Sequence, residues 1–318
     1  MNKRFISCIS MMLVIFLVTS CSATAPTLTA TVTGIPTVVD QTITMTDGLG
    51  RTVTLAAPAQ RIVSMAPSAT EILYAIGAGD QMVGRDSFSD FPTEAANLTD
   101  VGGSMNEYSY ETITSLNPDL VIAAGINTTD QVKALEDLGL TVYYIANPTD
   151  FDGLYQIIED VGKLTGRSEE ATTLTDSLAE RVKTVKDKIA TATDTPVVFY
   201  ELDGSDPAKP WTSGPGTFVD MLITMAGGKN VGSALSGSWA QISIEDLLIQ
   251  NPDIIILGDS AYGMTPDQVM IRTGWENIKA VTDSQIYVFN DDLVTLAGPR
   301  LVDGLEGLAK LIHPELFR

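Results

Sequence analysis

The chain has 318 residues, 40 of them Asp or Glu against 19 Lys or Arg, for a formal charge of −21. That length accommodates two domains of ordinary size. An acidic excess of this size disfavours anionic partners, so nucleic acid and acidic lipid surfaces are set aside.

The first thirty residues read "MNKRFISCISMMLVIFLVTSCSATAPTLTA". Lys3 and Arg4 precede an apolar run of about 13 residues, Ile6 to Val18, where a spanning helix needs roughly 20. A basic start, a short apolar middle and small residues after it describe a secretory signal over residues 1–20. The letters "VTSC" resemble a bacterial lipobox, which implies that Cys21 becomes the lipidated first residue of the mature protein. The alternative is an ordinary signal with an incidental cysteine. Residues 21–41 carry Thr, Ala and Pro with little to bury, and read as a flexible tether. Cys8 leaves with the signal, so no internal disulfide can form. No other stretch is long and apolar enough to span a bilayer.

Residues 42–150 read as a first α/β lobe. "TITMTDGLGRTVTL" alternates around a Gly-rich turn, as a hairpin does. "RIVSMA" is a strand and "PSATEILYAIGAG" a helix, with Ser68 and Glu71 at capping-box spacing and Gly77 or Gly79 as the stop. The alternation runs on to the strand "TVYYIA" at Thr141–Ala146. Residues 151–193 form a linking helical segment. From Ser168, which can cap it, a helix carries Leu174, Leu178, Val182, Val185 and Ile189 at spacings of three and four. About 22 residues at 1.5 Å each span roughly 33 Å, enough to cross between lobes. Residues 194–318 repeat the theme, from "PVVFYEL" to "QIYVFN" and a last helix from about Pro299 to Ile312.

Two internal echoes relate the halves. "SYETITSLNPDLVI" (109–122) and "SIEDLLIQNPDIII" (243–256) share six of fourteen positions at an offset of 134. In each, Ser caps a helix, Glu sits in the first turn, Asn-Pro-Asp stops it and an apolar run makes a buried strand. "AGDQMVG" (78–84) and "AGGKNVG" (226–232) repeat in the same order. The fold class is therefore α/β: two related Rossmann-like lobes with mainly parallel sheets, joined by one long helix, with a ligand cleft between them. A hydrolytic triad or a multi-histidine metal site needs histidine, and the single one, His313, is expected at a surface or helix-end position. There is no G-x-S-x-G elbow and no P-loop, and "GPGTFV" lacks the third glycine of a dinucleotide fingerprint. Trp275, with Ile278 at helical spacing, is expected in the core.

The succession "RIVSMAPSATEILYAIGAGDQMVGR", "FSDFP", "VGGSMNEYSYETITSLNPDLVIAAG", "GWENIKAVTDSQIYVF" and "AGPRLVDGLEGLAKLIHPELF" resembles the helix-linked class of bacterial ABC-transporter substrate-binding lipoproteins. The resemblance runs from about Thr42 to Phe317. It implies a protein without catalysis, monomeric and tethered outside the cytoplasmic membrane by its lipid alone. Such a protein hands a small ligand to a permease dimer with its ATPase subunits, and it uses neither cofactor nor metal of its own. The rival from another class is an exported α/β enzyme with a pocket in the same cleft. In this family a glutamate on each lobe docks onto the two-fold permease, and the equivalent acids of the first echo are Glu111 and Glu245.

Loops at the strand ends offer Phe88, Met105, Tyr108, Trp211 and Trp239, against few cations: Arg85, Lys209 and Arg300. Large rings and few cations suit a bulky, flat, nearly neutral ligand. "SFSDFP" is similar to the Ser-Tyr-Ser-Asp-Tyr-Pro loop of the cobalamin-binding branch, which implies that Phe88 stacks on a corrin or its base. Trp211 and Trp239 fall where that branch places aromatic contacts, and Asp292 where it has an aspartate for side-chain amides. Leu296 stands where an arginine is expected, and the loop at Ala124 lacks an expected tryptophan. The ligand read from these residues is cobalamin or another corrinoid, with ferric siderophore or haem as the alternative. Phe88 plugging its own loop, and core roles for Tyr108 and Trp239, stay open.

Overall fold

The computed structural model describes residues 42–103 and 108–318. The signal, the tether, Cys21 and Met105 lie outside the described residues. The expected hairpin comes first: β1 (Ile43–Thr46) pairs antiparallel with β2 (Thr52–Leu55), Ile43 opposite Leu55. Asp47 both bends and fastens it. Its carboxylate accepts from the N–H of Leu49 (3.0 Å) and Arg51 (2.9 Å) in the turn, and from that of Tyr144 (3.2 Å) in the lobe.

The first lobe is a five-stranded parallel sheet: β3 (Ile62–Ser64), β4 (Met82–Arg85), β5 (Thr99–Asp100), β6 (Leu120–Ala124) and β7 (Val142–Ile145), in spatial order β5-β4-β3-β6-β7. Parallel neighbours need crossover connections. Helices α1 (Pro67–Ala75), α2 (Tyr110–Ser115) and α3 (Thr129–Asp137) supply three of them. Every residue of β6 is buried, as expected for a central strand covered on both faces. The start of α1 departs from the capping-box expectation. Pro67 takes the first helical position, where its fixed φ and missing N–H are tolerated. The cap is therefore Ala66, without a side-chain bond. Ser68 falls inside the first turn, and Glu71 is buried with a partner elsewhere.

After β7 come α4 (Phe151–Thr165), stopped by Gly166 in a left-handed conformation (φ 72°), and α5 (Ser168–Ile189), 22 residues long. Ser168 is the first residue of α5 and not its cap, because Arg167 holds that place without a side-chain bond. The second sheet holds β8 (Val197–Asp203), β9 (Trp211–Ser213), β10 (Lys229–Asn230), β11 (Trp239–Gln241), β12 (Ile254–Leu257) and β13 (Ile286–Val288). Its order is β11-β9-β8-β12-β13, with β10 also on β8. The strands β10, β8, β12 and β13 are parallel, whereas β9 and β11 form an antiparallel ribbon at one edge. The helices are α6 (Phe218–Met225), α7 (Ile244–Gln250), α8 (Pro266–Met270), α9 (Lys279–Thr282), α10 (Asp292–Thr295) and α11 (Leu301–Ile312).

Both echoes hold in three dimensions. Ser109 caps α2 by accepting from the N–H of Thr112 (3.2 Å), and Ser243 caps α7 by accepting from that of Asp246 (3.1 Å). Asn117 and Asn251 each take φ 45° to end their helices. Asp119 then accepts from the backbone of Gln60 (2.8 Å) and Arg61 (3.0 Å) at the foot of β3, and Asp253 from Val197 (2.8 Å) at the foot of β8. Each Asn-Pro-Asp thus stops a helix and clamps the next strand to its parallel neighbour. The second echo leads into β4 and β10, which pair with β3 and β8 in turn.

Helix α5 packs on α4 and on α11, so it is held at both lobes. It buries Ala171, Thr175, Leu178, Val182 and Val185, and Arg181 reaches Asp303 (2.5 Å) and Glu306 (2.9 Å) of α11. Trp275 is fully buried as expected, edge-on to Phe199, with Nε1 donating to the carbonyl of Pro207 (3.0 Å). His313 differs from expectation. It ends α11 as foreseen, but its ring is 1% exposed because the chain folds it beneath the Gly227 loop. Among the described residues no helix is long and apolar enough to cross a membrane.

Candidate functional site

Parallel strands leave their connecting loops at the carboxyl ends, which is where open α/β sheets bind ligands. Here those loops, from both lobes, line one cleft of about 560 Å³. The first lobe contributes Ala66 to Ser68 after β3, Phe88 and Phe91 after β4, Gly125 and Ile126 after β6, and Asn147 after β7. The second contributes Tyr262 after β12, and Asp292, Thr295 and Leu296 after β13.

The Phe88 loop is held from beneath by a buried polar chain. Thr70 Oγ1 donates to Ser64 Oγ (2.9 Å) and lies 2.8 Å from Ser89 Oγ. Ser89 bonds Asp86, and the Asp86 carboxylate accepts from the N–H of Phe88 (3.1 Å). Burial raises the Asp86 carboxyl above its usual range, against the bonds from Ser89 and Phe88. The loop is therefore fixed while the Phe88 ring stays 54% exposed on the cleft wall. It does not plug its own loop. A second clamp works beneath Ile126. Asn127 Oδ1 accepts from the N–H of Ala124 (2.8 Å), and its amide donates to the carbonyl of Met65 (3.2 Å) and to Tyr108 Oη (2.8 Å). Tyr108 in turn donates to Met65 O (2.9 Å), and burial pushes its hydroxyl up to about 12. Tyr108 therefore braces the strand ends and is not part of the cleft lining.

One ion pair joins the lobes at the cleft. Arg300, just before α11, donates to Glu71 of α1 at 2.5 Å, and its guanidinium lies 3.8 Å from the centre of the Phe91 ring. Glu71 Oε2 and Arg300 Nε are buried without a further partner. Burial raises the Glu71 carboxyl above its usual range, with the guanidinium opposing.

None of the cations named from sequence lines the cleft. Arg300 is neutralised by Glu71. Arg85 bonds the Asp86 carbonyl (2.8 Å) and Asp100 (3.3 Å), and Lys209 is exposed outside the lining. Among the described residues no Lys or Arg lines the cleft, whereas Glu71, Asp90 and Asp292 do. Of the residues singled out from sequence, the cleft brings together Phe88 and Asp292. Trp211 and Trp239 lie diagonally on one face of the β9–β11 ribbon, 39% and 48% exposed, and are not among the cleft-lining residues. Glu111 and Glu245 are exposed, each the second residue of its helix. Sequence reasoning missed Tyr262 (93% exposed) and Ile126 (65%). Tyr262 follows β12, so applying the strand-end rule to "LGDSAY" would have found it. Leu296, where the resemblance led one to look for arginine, lines the cleft, and so does Ala124, near which it led one to look for tryptophan.

Residues 62–293 match the family described as periplasmic binding protein. The chain is 33% identical over 279 residues to the ABC transporter substrate-binding lipoprotein YvrC of Bacillus subtilis, covering 87% of each chain. It superposes on the periplasmic vitamin B12 binding protein BtuF of Vibrio cholerae with a TM-score of 0.69 and 27% identity, covering 82% of this chain and 99% of that one. It is also similar to the periplasmic heme-binding protein RhuT from Roseiflexus sp. RS-1, with a TM-score of 0.72 and 26% identity over 81% of this chain and 99% of that one.

Proposed function

The chain belongs to the periplasmic binding protein family, extracytoplasmic solute-binding proteins of ABC transporters, and on that premise we propose that it carries a corrinoid to its permease. The observation that carries this reading is the charge of the cleft: among the described residues Asp90 and Asp292 line it as unpaired acids, Glu71 lines it paired to Arg300, and no Lys or Arg lines it. Haem propionates and anionic siderophores call for Arg or Lys, and Arg300 beside this cleft is consumed by Glu71. A corrin instead presents broad apolar faces and a rim of side-chain amides. The faces suit Phe88 and Tyr262, and amide N–H groups suit the acceptor-only carboxylates of Asp90 and Asp292. The similarity to a vitamin B12 binding protein supports the same ligand.

A second reading, haem or ferric siderophore, is favoured by the equally close fold of the heme-binding RhuT. Calorimetry with cobalamin, cobinamide, haemin and ferric siderophores separates the two. We expect one corrinoid per chain, returned chemically unchanged. Tight binding of haemin or a siderophore without corrinoid binding overturns the assignment, and conversion of the ligand would restore the enzyme reading. We further propose that Cys21 carries the lipid anchor, as the lipobox resemblance and a relative named as a lipoprotein suggest. Glu111 and Glu245, exposed at equivalent helix starts, are proposed to dock on the two permease subunits, with the ATPase subunits behind them.

A further inference from the structure

Outside the cleft, three segments of the second lobe meet around the one histidine. They are the loop between α5 and β8 with Asp194, the loop after α6 with Gly227, and the turn after α11 with His313 and Glu315. The His313 ring is 1% exposed. Its Nε2 lies 3.3 Å from the Gly227 carbonyl oxygen. A carbonyl can only accept, so Nε2 carries the hydrogen. Gly227 is built close for this contact: its φ is +80°, and a Cβ there would stand 2.7 Å from Nε2.

With Nε2 turned to the carbonyl, Nδ1 points to the other side of the ring. It faces Glu315 Oε1 at 3.2 Å and Asp194 Oδ1 at 3.8 Å. Three atoms of metal-ligand type therefore converge from three segments of the chain. All three lie within 4.8 Å of one another. Neither carboxylate has another hydrogen-bond or ion-pair partner among the described residues. A four-coordinate zinc ion, with bonds of about 2.0–2.1 Å, sets its ligands about 3.3 Å apart. The histidine–glutamate separation of 3.2 Å already matches, and the histidine–aspartate separation of 3.8 Å exceeds that spacing by about 0.5 Å. A ring N–H held by a backbone carbonyl is the outer contact that fixes the tautomer of a metal-bound histidine.

We propose that Asp194, His313 and Glu315 bind a divalent transition-metal ion of the Zn²⁺ type, with water completing its coordination. The imidazole favours such ions over Mg²⁺ or Ca²⁺, which take oxygen ligands. The ion is structural. It fastens the C-terminal turn to the segment in which α5 hands over to β8, and so stiffens the seat of the interlobe helix.

The test uses the full chain in detergent, without a histidine tag, stripped with EDTA. Calorimetry with ZnCl₂ should show one ion per chain with micromolar affinity, and MgCl₂ should show none. Saturating Zn²⁺ should raise Tm by roughly 4–8 °C, reversed by EDTA. His313→Gln risks misfolding, so the decisive variant is Asp194→Asn with Glu315→Gln, both at exposed positions. It should fold normally and bind Zn²⁺ at least about tenfold more weakly. Absence of Zn²⁺ binding up to millimolar concentration overturns the site and leaves a proton as what satisfies Nδ1. Unchanged binding in the double variant overturns it as well, by putting the metal elsewhere.

Discussion

Replacing Arg300 with Met should destabilise the chain by about 3–5 kcal/mol at pH 7, because it strands a buried carboxylate. The Glu71 side chain is 3% exposed and that of Arg300 15%, with the contact at 2.5 Å. Charge centres about 4 Å apart at an effective dielectric of 20 interact by about 4 kcal/mol, the same size. Met retains most of the stem, so lost packing adds little. The pH dependence carries the sign. Burial already holds the Glu71 carboxyl above its unfolded value despite the guanidinium. A carboxyl raised in the folded state favours folding at low pH, and that advantage is lost as pH rises from the unfolded value through the folded one. Removing Arg300 raises the folded value further, so the deficit should grow between about pH 5 and pH 8. Urea unfolding at both pH values, with the slope checked for constancy, measures it. Glu71→Gln added to the variant should return much of the loss. A deficit below about 1 kcal/mol at pH 8, or an equal deficit at both pH values, refutes the reasoning.

Phe88→Ala should weaken corrinoid binding by about 1–3 kcal/mol through lost stacking area, with urea stability unchanged because the ring is already exposed. Lost stability with unchanged calorimetric affinity would make Phe88 a packing residue. Glu111→Arg combined with Glu245→Arg should leave ligand affinity intact while reducing uptake and permease binding through like-charge repulsion, and added salt should mimic part of that loss in the parent chain. Normal uptake at normal protein levels would return both acids to helix-start duty, worth roughly 0.3–1 kcal/mol each. Cys21→Ser should release the protein from membranes, since stable anchoring requires its acyl groups. Retention after a carbonate wash would rule out the lipid anchor.

What sequence reveals here is periodic or local. The 22 residues of α5, the Ser caps of α2 and α7, and the left-handed asparagines follow from side-chain spacing and turn chemistry, and all lie within a few residues of their cause. What it conceals is long-range. Glu71 has capping-box spacing from Ser68, yet its partner Arg300 is 229 positions away, and no local pattern announces that pairing. The same holds for His313, whose burial depends on Gly227, 86 positions earlier. The tryptophans are a different case. Their loops were visible, but their place outside the cleft lining depends on β9 and β11 pairing antiparallel at the edge of the second sheet, where the five-stranded sheet of the first lobe is parallel throughout.

The two aspartate clamps also bear on how the halves reach their folded form. Asp119 closes a loop back to Arg61 over 58 positions, and Asp253 closes one back to Val197 over 56. Closure entropy grows as (3/2)RT ln n, so the two loops differ in cost by only about 0.03 kcal/mol. The central strand pair of neither lobe therefore has an entropic head start. Any difference in their folding order must come from the local contacts inside each loop, among which the extra ribbon of the second lobe is the largest topological difference.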